Sequence, residues 1–151
     1  MPTEVILIAV VTVEGFIARH NREVTTWSKD LHLFKEQTLG HPVVMGSNTY
    51  GTLAAELEGR EMIVVHRNDV PKDILSSIDA ERCFIIGGGK TYARFAHLLT
   101  HIYITPHPLL FGKGVPLFDG EIPERKLVFQ NMVPVDEKNG IFQYQYKVFS
   151  S

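Results

Sequence analysis

The sequence predicts an α/β fold with a mainly parallel, doubly wound sheet and an antiparallel hairpin at the carboxyl terminus. Over most of the chain, short β-branched apolar runs alternate with segments of helical period. That alternation is typical of a parallel sheet with helices on both faces. After residue 120 two strand-like runs flank an Asn139-Gly140 pair, which favours a hairpin. At 151 residues the chain suits one core, and we expect residues 1–151 to form a single domain.

Five apolar runs are predicted to form the parallel strands, over residues 5–13, 42–45, 62–66, 82–86 and 101–105. Three helices are expected to connect them. Ser28 is predicted to cap the first, which runs to Thr38, and Asn48 the second, which carries Tyr50 and Leu53. The third is predicted over residues 90–99, after a run of glycines.

The terminal hairpin is predicted to pair residues 126–135 with residues 141–149. In the second of these strands apolar and polar side chains alternate. We therefore expect one face of the strand to be buried, the face that carries Phe142, Tyr144, Tyr146 and Val148. The other face would carry Gln143, Gln145 and Lys147.

Composition excludes several classes of protein. The net charge is −2 and the Lys and Arg residues are scattered, so we expect no nucleic-acid partner. The single cysteine, Cys83, rules out an internal disulfide and a cysteine-rich metal site, and it fits a reducing compartment. The apolar run at residues 5–11 follows Glu4 and is too short to span a bilayer, so we expect a cytoplasmic protein with no membrane partner.

The most informative stretch is a run of bare glycines between a strand and a helix, Ile85-Ile86-Gly87-Gly88-Gly89-Lys90-Thr91-Tyr92. Exposed backbone N–H groups and a helix dipole at such a place favour phosphate. A P-loop is excluded because Phe84 stands where its first glycine belongs. A dinucleotide fingerprint is excluded because Tyr92 takes the position of its third glycine. A plain tight turn remains an alternative.

Two further patterns bear on the site. Asp30, Phe34 and Thr38 are four residues apart, so on a helix they present a carboxylate, a ring and a hydroxyl on one face, which suits a flat heterocycle. The alternative is that Asp30 only complements the helix dipole. His97 and His101 have the spacing of a zinc-binding helix, but Leu98 replaces the glutamate of that motif, so we expect no metal site.

The glycine run, with its basic residue and Tyr92, resembles the cofactor loop of dihydrofolate reductases. Residues 30–38 and the following Gly40-His-Pro-Val-Val-Met-Gly46-Ser-Asn-Thr49-Tyr50 resemble the signature of the same family. The resemblance implies NADPH-dependent reduction of dihydrofolate to tetrahydrofolate, as part of one-carbon metabolism. It also implies that Asp30 anchors the pterin and that a cis peptide joins Gly87 and Gly88. A monomer or a homodimer is expected.

The resemblance further assigns roles to individual residues. Catalysis would involve Asp30, Tyr92 and Thr105, with Thr105 buttressing Asp30. The substrate would contact Ile8, Val10, Asp30, Phe34, Arg60 and Ile86, with Arg60 holding the glutamate tail. Because Ser47 replaces the family's usual arginine, the 2′-phosphate of NADPH would fall to His66, Arg67 and Lys90. The whole cofactor set would be Ile17, Ala18, Gly46, Ser47, Thr49, His66, Arg67, Gly87, Gly88, Gly89, Lys90 and Tyr92.

Two segments depart from the usual pattern. The family's active-site loop corresponds to residues 14–28, where its Pro-Trp pair falls on Val24-Thr25, and we expect Trp27 to fill that space instead. Residues 103–118 resemble the reductase domain of riboflavin biosynthesis, which implies a ribosylaminopyrimidine 5′-phosphate as an alternative acceptor. With one cysteine, the deaminase of that pathway is excluded. A non-catalytic NADPH-binding protein is the alternative of another class.

Overall fold

A computed structural model describes residues 1–150, which form a seven-stranded sheet with helices on both of its faces and a separate two-stranded sheet. The helices are α1 (Leu31–Thr38), α2 (Ser47–Leu53), α3 (Pro71–Ser76) and α4 (Gly89–Phe95). The strands are β1 (Glu4–Thr12), β2 (Phe16–Ala18), β3 (Val43–Gly46), β4 (Met62–Val65), β5 (Arg82–Gly87), β6 (His101–His107), β7 (Val115–Pro116), β8 (Leu127–Asp136) and β9 (Ile141–Val148).

The large sheet has the strand order β4-β3-β5-β1-β6-β9-β8. Its first five strands are parallel, and β9 and β8 continue it in antiparallel pairing. The fold class predicted from the sequence is therefore confirmed, and the predicted strand bounds agree with the observed ones to within one or two residues. Parallel pairing brings the carboxyl ends of β1, β3 and β5 to one edge, which is where open α/β sheets bind ligands.

The core lies on both faces of the parallel strands, because residues 5–9 of β1 are all buried. On one face Leu7 and Ile85 pack with Phe95 of α4. On the other face Ile6 and Phe84 pack with the partly buried Phe34 of α1. Helices α1 and α4 are thus fixed on opposite faces of the sheet, and both reach its carboxyl edge.

The predicted helix starts were wrong in detail. Helix α1 begins at Leu31, and Ser28 does not cap it. The Ser28 hydroxyl instead donates to Asp30 Oδ1 at 3.3 Å and accepts from the Asp30 N–H at 3.3 Å. Helix α2 begins at Ser47, so Asn48 lies inside it. The predicted helix over residues 90–99 is divided, because α4 ends at Phe95 and a 3-10 turn follows over Ala96–Leu98.

The terminal hairpin is confirmed, but its buried face was predicted wrongly. Val148 is buried as expected, whereas Phe142, Tyr144 and Tyr146 are only half-buried. Gln143, expected on the polar face, is completely buried. Its amide exchanges two hydrogen bonds, of 2.7 and 2.9 Å, with the amide of Gln37 on α1. The cost of burying a polar amide is therefore met by a partner from another element.

Several elements were not predicted. The short strands β2 and β7 form the separate antiparallel sheet, and α3 begins at Pro71 between β4 and β5. The hairpin connection contains a 3-10 turn over Glu137–Asn139, followed by Gly140 at a φ of +72°. None of the helices within residues 1–150 is long and apolar enough to cross a bilayer.

Candidate active site

A cleft of about 760 Å³ opens at the carboxyl edge of the sheet, between α1 on one side and the glycine run with α4 on the other. Most of the predicted site residues line this one cleft. They are Ile8, Val10, Ile17, Ala18, Asp30, Phe34, Gly46, Ser47, Thr49, Arg67, Ile86, Gly87, Gly88, Gly89, Lys90 and Tyr92. Arg60, His66 and Thr105 are not part of the lining and are described below.

Asp30 lies at the wall of the cleft and is only 4 % exposed. The Thr105 hydroxyl donates a hydrogen bond of 2.7 Å to Asp30 Oδ2, so Thr105 does buttress the carboxyl group from β6. Burial raises the pKa of Asp30, and the hydrogen bonds from Thr105 and Ser28 oppose that rise. Each carboxylate oxygen keeps a free lone pair for a ligand donor.

Apolar side chains surround this carboxyl group within the cleft. Ile8 and Val10 come from β1, Phe34 from α1 and Ile86 from β5. Tyr92 on α4 is also buried, and its hydroxyl donates a 2.6 Å hydrogen bond to the Ile8 carbonyl oxygen. Burial raises the pKa of Tyr92, so this phenol stays protonated and keeps its proton on Ile8.

The glycine run meets β3 and β7 so closely that side chains would not fit. The peptide bond between Gly87 and Gly88 is cis, as the family resemblance implied, and Gly87 has a φ of +132°. A Cβ atom on Gly46 would lie 2.8 Å from Thr91 Oγ1, and one on Gly89 would lie 2.6 Å from the Pro116 carbonyl oxygen. The bare backbone of these glycines therefore forms a cradle that suits the phosphates of a nucleotide.

Positive charge is concentrated at the outer end of the cradle. Arg67 follows β4, and Lys90 and Arg94 belong to α4; all three line the cleft. Arg94 donates to the main-chain oxygens of His66 (3.1 Å) and Asp69, so it holds the turn that carries Arg67. Sequence reasoning missed Arg94, although its spacing of four residues from Lys90 on α4 could have indicated it. His66 is exposed outside the lining and adjoins Arg67.

Arg60 lies beyond the lining, at the carboxyl end of α1. Its guanidinium donates to Thr38 Oγ1 at 3.1 Å and to the main-chain oxygens of Glu58 and Lys35, each at 2.6 Å. These bonds use three of its five N–H donors and leave one on each terminal nitrogen. The side chain thus anchors α1 and retains a pair of donors.

Trp27 does not fill the space expected of it. Val24 and Thr25 line the cleft, whereas Trp27 packs edge-on against His107 and Phe111, with ring centroids 5.3 and 5.4 Å away. Its indole N–H donates to Glu23 Oε1 at 3.3 Å. These contacts hold the indole outside the lining of the cleft.

The two histidines with zinc-helix spacing are on different elements. His97 lies in the 3-10 turn Ala96–Leu98, and His101 begins β6. In the part of the chain that the structure describes, no group of three or more His, Cys, Asp or Glu side chains is arranged to hold a metal ion.

The chain is similar to proteins of one known family. The dihydrofolate reductase family model matches residues 4–146. The dihydrofolate reductase type 3 of Salmonella typhimurium is 34% identical over 111 residues, which cover 66% of this chain and 68% of that protein. The dihydrofolate reductase of Bacillus subtilis (strain 168) is 29% identical over 136 residues, covering 80% and 78%.

A solved structure matches over the full length of the fold. It is the dihydrofolate reductase from Enterococcus faecalis complexed with NADP(H) and RAB-propyl, which is 21% identical, covers 99% of each chain and has a TM-score of 0.77. At 21% identity this match shows a shared fold. The family is shown by the family model, which matches residues 4–146. The chain belongs to the dihydrofolate reductase family.

Proposed function

We propose that this protein reduces dihydrofolate to tetrahydrofolate with NADPH as the hydride donor. The observation that carries the proposal is that one cleft contains both a buried carboxyl group, Asp30, and a cradle of bare glycine backbone. The first feature suits an aminopyrimidine ring and the second a dinucleotide diphosphate. The family and its curated relatives support the same reaction.

The residues at the glycine cradle fit NADPH. Gly87, Gly88, Gly89 and Gly46 leave room for the diphosphate, and Ser47, Thr49 and Lys90 offer it polar groups. Ile17, Ala18 and Tyr92 provide an apolar contact for the nicotinamide. Arg67, with His66 beside it, meets the 2′-phosphate. When bound, NADPH supplies the hydride, and the relative from Enterococcus faecalis is a complex with NADP(H).

Asp30 binds and orients the pterin. Its two oxygens accept a pair of parallel N–H donors from the aminopyrimidine edge, in the geometry that makes charge-assisted hydrogen bonds strong. Its raised pKa lets Asp30 share a proton with the ring, and that proton reaches the reduced nitrogen through water. Ile8, Phe34 and Ile86 exclude other water around the reacting carbons.

The glutamate tail of the substrate extends along α1 toward Arg60. The two N–H donors that Arg60 retains, one on each terminal nitrogen, match a carboxylate. Lys35 and Glu56 form an ion pair of 2.5 Å between α1 and the turn after α2, along the same path.

The test is an assay of NADPH oxidation by the purified protein with dihydrofolate, run beside a ribosylaminopyrimidine 5′-phosphate. We expect turnover with dihydrofolate and a far smaller kcat/KM with the pyrimidine, to which the resemblance at residues 103–118 points. Asp30→Asn prepared identically should lose roughly 2 to 3 kcal/mol of transition-state stabilisation with unchanged NADPH affinity. That loss also shows that the activity does not come from the host's own enzyme.

Two results would contradict the proposal. Turnover of the pyrimidine alone would assign the other acceptor. NADPH binding without oxidation of any acceptor would identify a binding protein that kept the fold.

A further inference from the structure

His107, at the end of β6, is a buried side chain to which the proposed reaction gives no role. It is only 2 % exposed, and both ring nitrogens are bonded. Nε2 accepts a 3.0 Å hydrogen bond from the main-chain N–H of Lys29. Nδ1 lies 3.0 Å from the main-chain oxygen of Thr105. A carbonyl oxygen only accepts and a backbone N–H only donates, so these partners select the neutral imidazole with its proton on Nδ1.

The two partners of His107 flank the hydrogen bond that buttresses the site. Lys29 directly precedes Asp30, and Thr105 is the residue whose hydroxyl donates to Asp30 Oδ2. One imidazole therefore closes a ring of contacts that runs from Asp30 to Thr105, on to His107, and back through Lys29 to Asp30.

Main-chain pairing does not provide this link. Strand β6 pairs with β1 and β9, and within residues 1–150 no main-chain hydrogen bond joins residues 28–31 to β6. Asp30 and Thr105 are 75 residues apart in the chain. The backbone before α1 is thus held to β6 through the His107 ring, and an aliphatic residue there would leave two buried polar groups without partners.

The imidazole of His107 also contacts the loop that joins β2 to α1. Trp27 meets His107 edge-on, with an interplanar angle of 88°, and donates its indole N–H to Glu23. Glu23 in turn accepts from the Arg19 main-chain N–H at 2.9 Å. His107 is therefore fixed from both sides, by β6 and by the loop.

We propose that His107 is a positioning residue for Asp30, which joins Lys29 to Thr105 and so holds the carboxyl group against its hydroxyl donor. Its value for turnover rests on the proposed function, whereas its effect on Asp30 does not. The first experiment below therefore needs no substrate.

That experiment follows the Asp30 carboxyl group by ¹³C NMR titration of the free protein, in the parent and in His107→Gln. The amide oxygen of the glutamine can accept from the Lys29 main-chain N–H, as Nε2 does. The glutamine has no N–H donor at the position of Nδ1, so the contact with the Thr105 main-chain oxygen is lost. The titratable groups that face Asp30 are His107 on β6 and Tyr92 on α4, and the hydroxyls of Ser28 and Thr105 bond to the Asp30 carboxyl group. The Thr105 hydroxyl lowers the pKa of Asp30 through its hydrogen bond. Because His107→Gln loosens Thr105 from Asp30, we expect the pKa of Asp30 to rise further in the variant.

The matched control is His101→Gln, the same change at the opposite end of β6, which should leave the Asp30 titration where it is in the parent. An Asp30 titration that is unchanged or shifted downward in His107→Gln would overturn the proposal.

The second experiment is a double-mutant cycle on kcat/KM for dihydrofolate with Thr105→Val. We expect His107→Gln to lose about tenfold in the parent but less than about twofold in the Thr105→Val background, since His107 acts through Thr105. Equal losses in the two backgrounds would mean a merely structural role and would overturn the proposal. If the parent does not reduce dihydrofolate, the proposed function fails, and the NMR titration still decides the role of His107.

Discussion

At the scale of single residues, burial and hydrogen bonding shift the pKa of Asp30 in opposite directions. Burial raises the pKa of Asp30 above its ordinary value of 3.8, so the folded protein retains a proton that the unfolded chain has already lost. The free energy of unfolding therefore falls as the pH rises from that ordinary value through the raised one. Once the pH exceeds the raised pKa, the ionised Asp30 carboxylate destabilises the fold.

Because ionisation of Asp30 lowers the free energy of unfolding, Asp30→Asn should stabilise the fold. The asparagine can keep both neighbours, because Thr105 donates to its oxygen and its amide donates to Ser28. We expect the variant to have a larger free energy of unfolding than the parent at neutral pH, with the gain disappearing below about pH 3.8. Urea unfolding across a pH series measures this, with the exposed Asp79→Asn as the control for the substitution itself. A less stable Asp30→Asn at neutral pH would contradict it.

Arg60 anchors the end of α1 and, in the proposed function, binds the glutamate tail of the substrate. Comparing substrates with and without that tail separates the two roles. Its loss disturbs the end of α1 for every substrate, because Lys35 and Thr38 lose their hydrogen-bond partner. Only a substrate with a glutamate tail also loses a carboxylate partner. We expect Arg60→Ala to raise the KM for dihydrofolate far more than the KM for a dihydropterin without the tail. Arg60→Lys keeps the charge but not the fork and should lie between; equal rises for both substrates would refute the tail contact.

At the scale of elements, two glycines at α2 form a matched pair. A Cβ atom on Gly46 would lie 2.8 Å from Thr91 Oγ1, whereas one on Gly51 would meet nothing within 4 Å. Gly46→Ala should displace Thr91 and the glycine run at a cost of about 1 to 3 kcal/mol, and weaken NADPH binding. Gly51→Ala should stabilise α2 by about 0.4 to 1 kcal/mol and leave binding unchanged. Fluorescence titration with NADPH tests this, and equal affinities would show that the close contact is unimportant.

The same elements show what the sequence could predict. The parallel strands were found because burial on both faces requires continuous apolar runs, as in β1. Asp30 and the glycine run were found because a local spacing carries their chemistry. The buried face of β9 was predicted wrongly because the partner of Gln143 lies 106 residues away in the chain. Ser28 failed as a cap because its hydroxyl bonds to Asp30, a local competition that spacing does not reveal.

At the scale of the whole molecule, the cleft is assembled from segments that are far apart in the sequence. Residues of β1, α1, α2, β5 and α4 line it together, and Val115 closes it beside the glycine run. Such a site exists only in the folded state, so a ligand that occupies it stabilises the entire fold. A cofactor at one hundred times its Kd adds about 2.7 kcal/mol.

This linkage lets thermal unfolding report which cofactor the fold prefers. NADH lacks the 2′-phosphate, and Ser47 stands where an arginine is usual in the family, which leaves the exposed Arg67 as the nearest candidate for that charge. We expect NADPH to raise the Tm more than NADH at equal concentration, and Arg67→Ala to narrow the difference. Because the contact is exposed, the difference should also shrink as salt is added. Lys72→Ala on α3 removes another exposed positive charge, outside the cleft, and should leave the Tm difference between NADPH and NADH unchanged. An Arg67→Ala protein that keeps the full difference would place the 2′-phosphate on Lys90 or Arg94 instead.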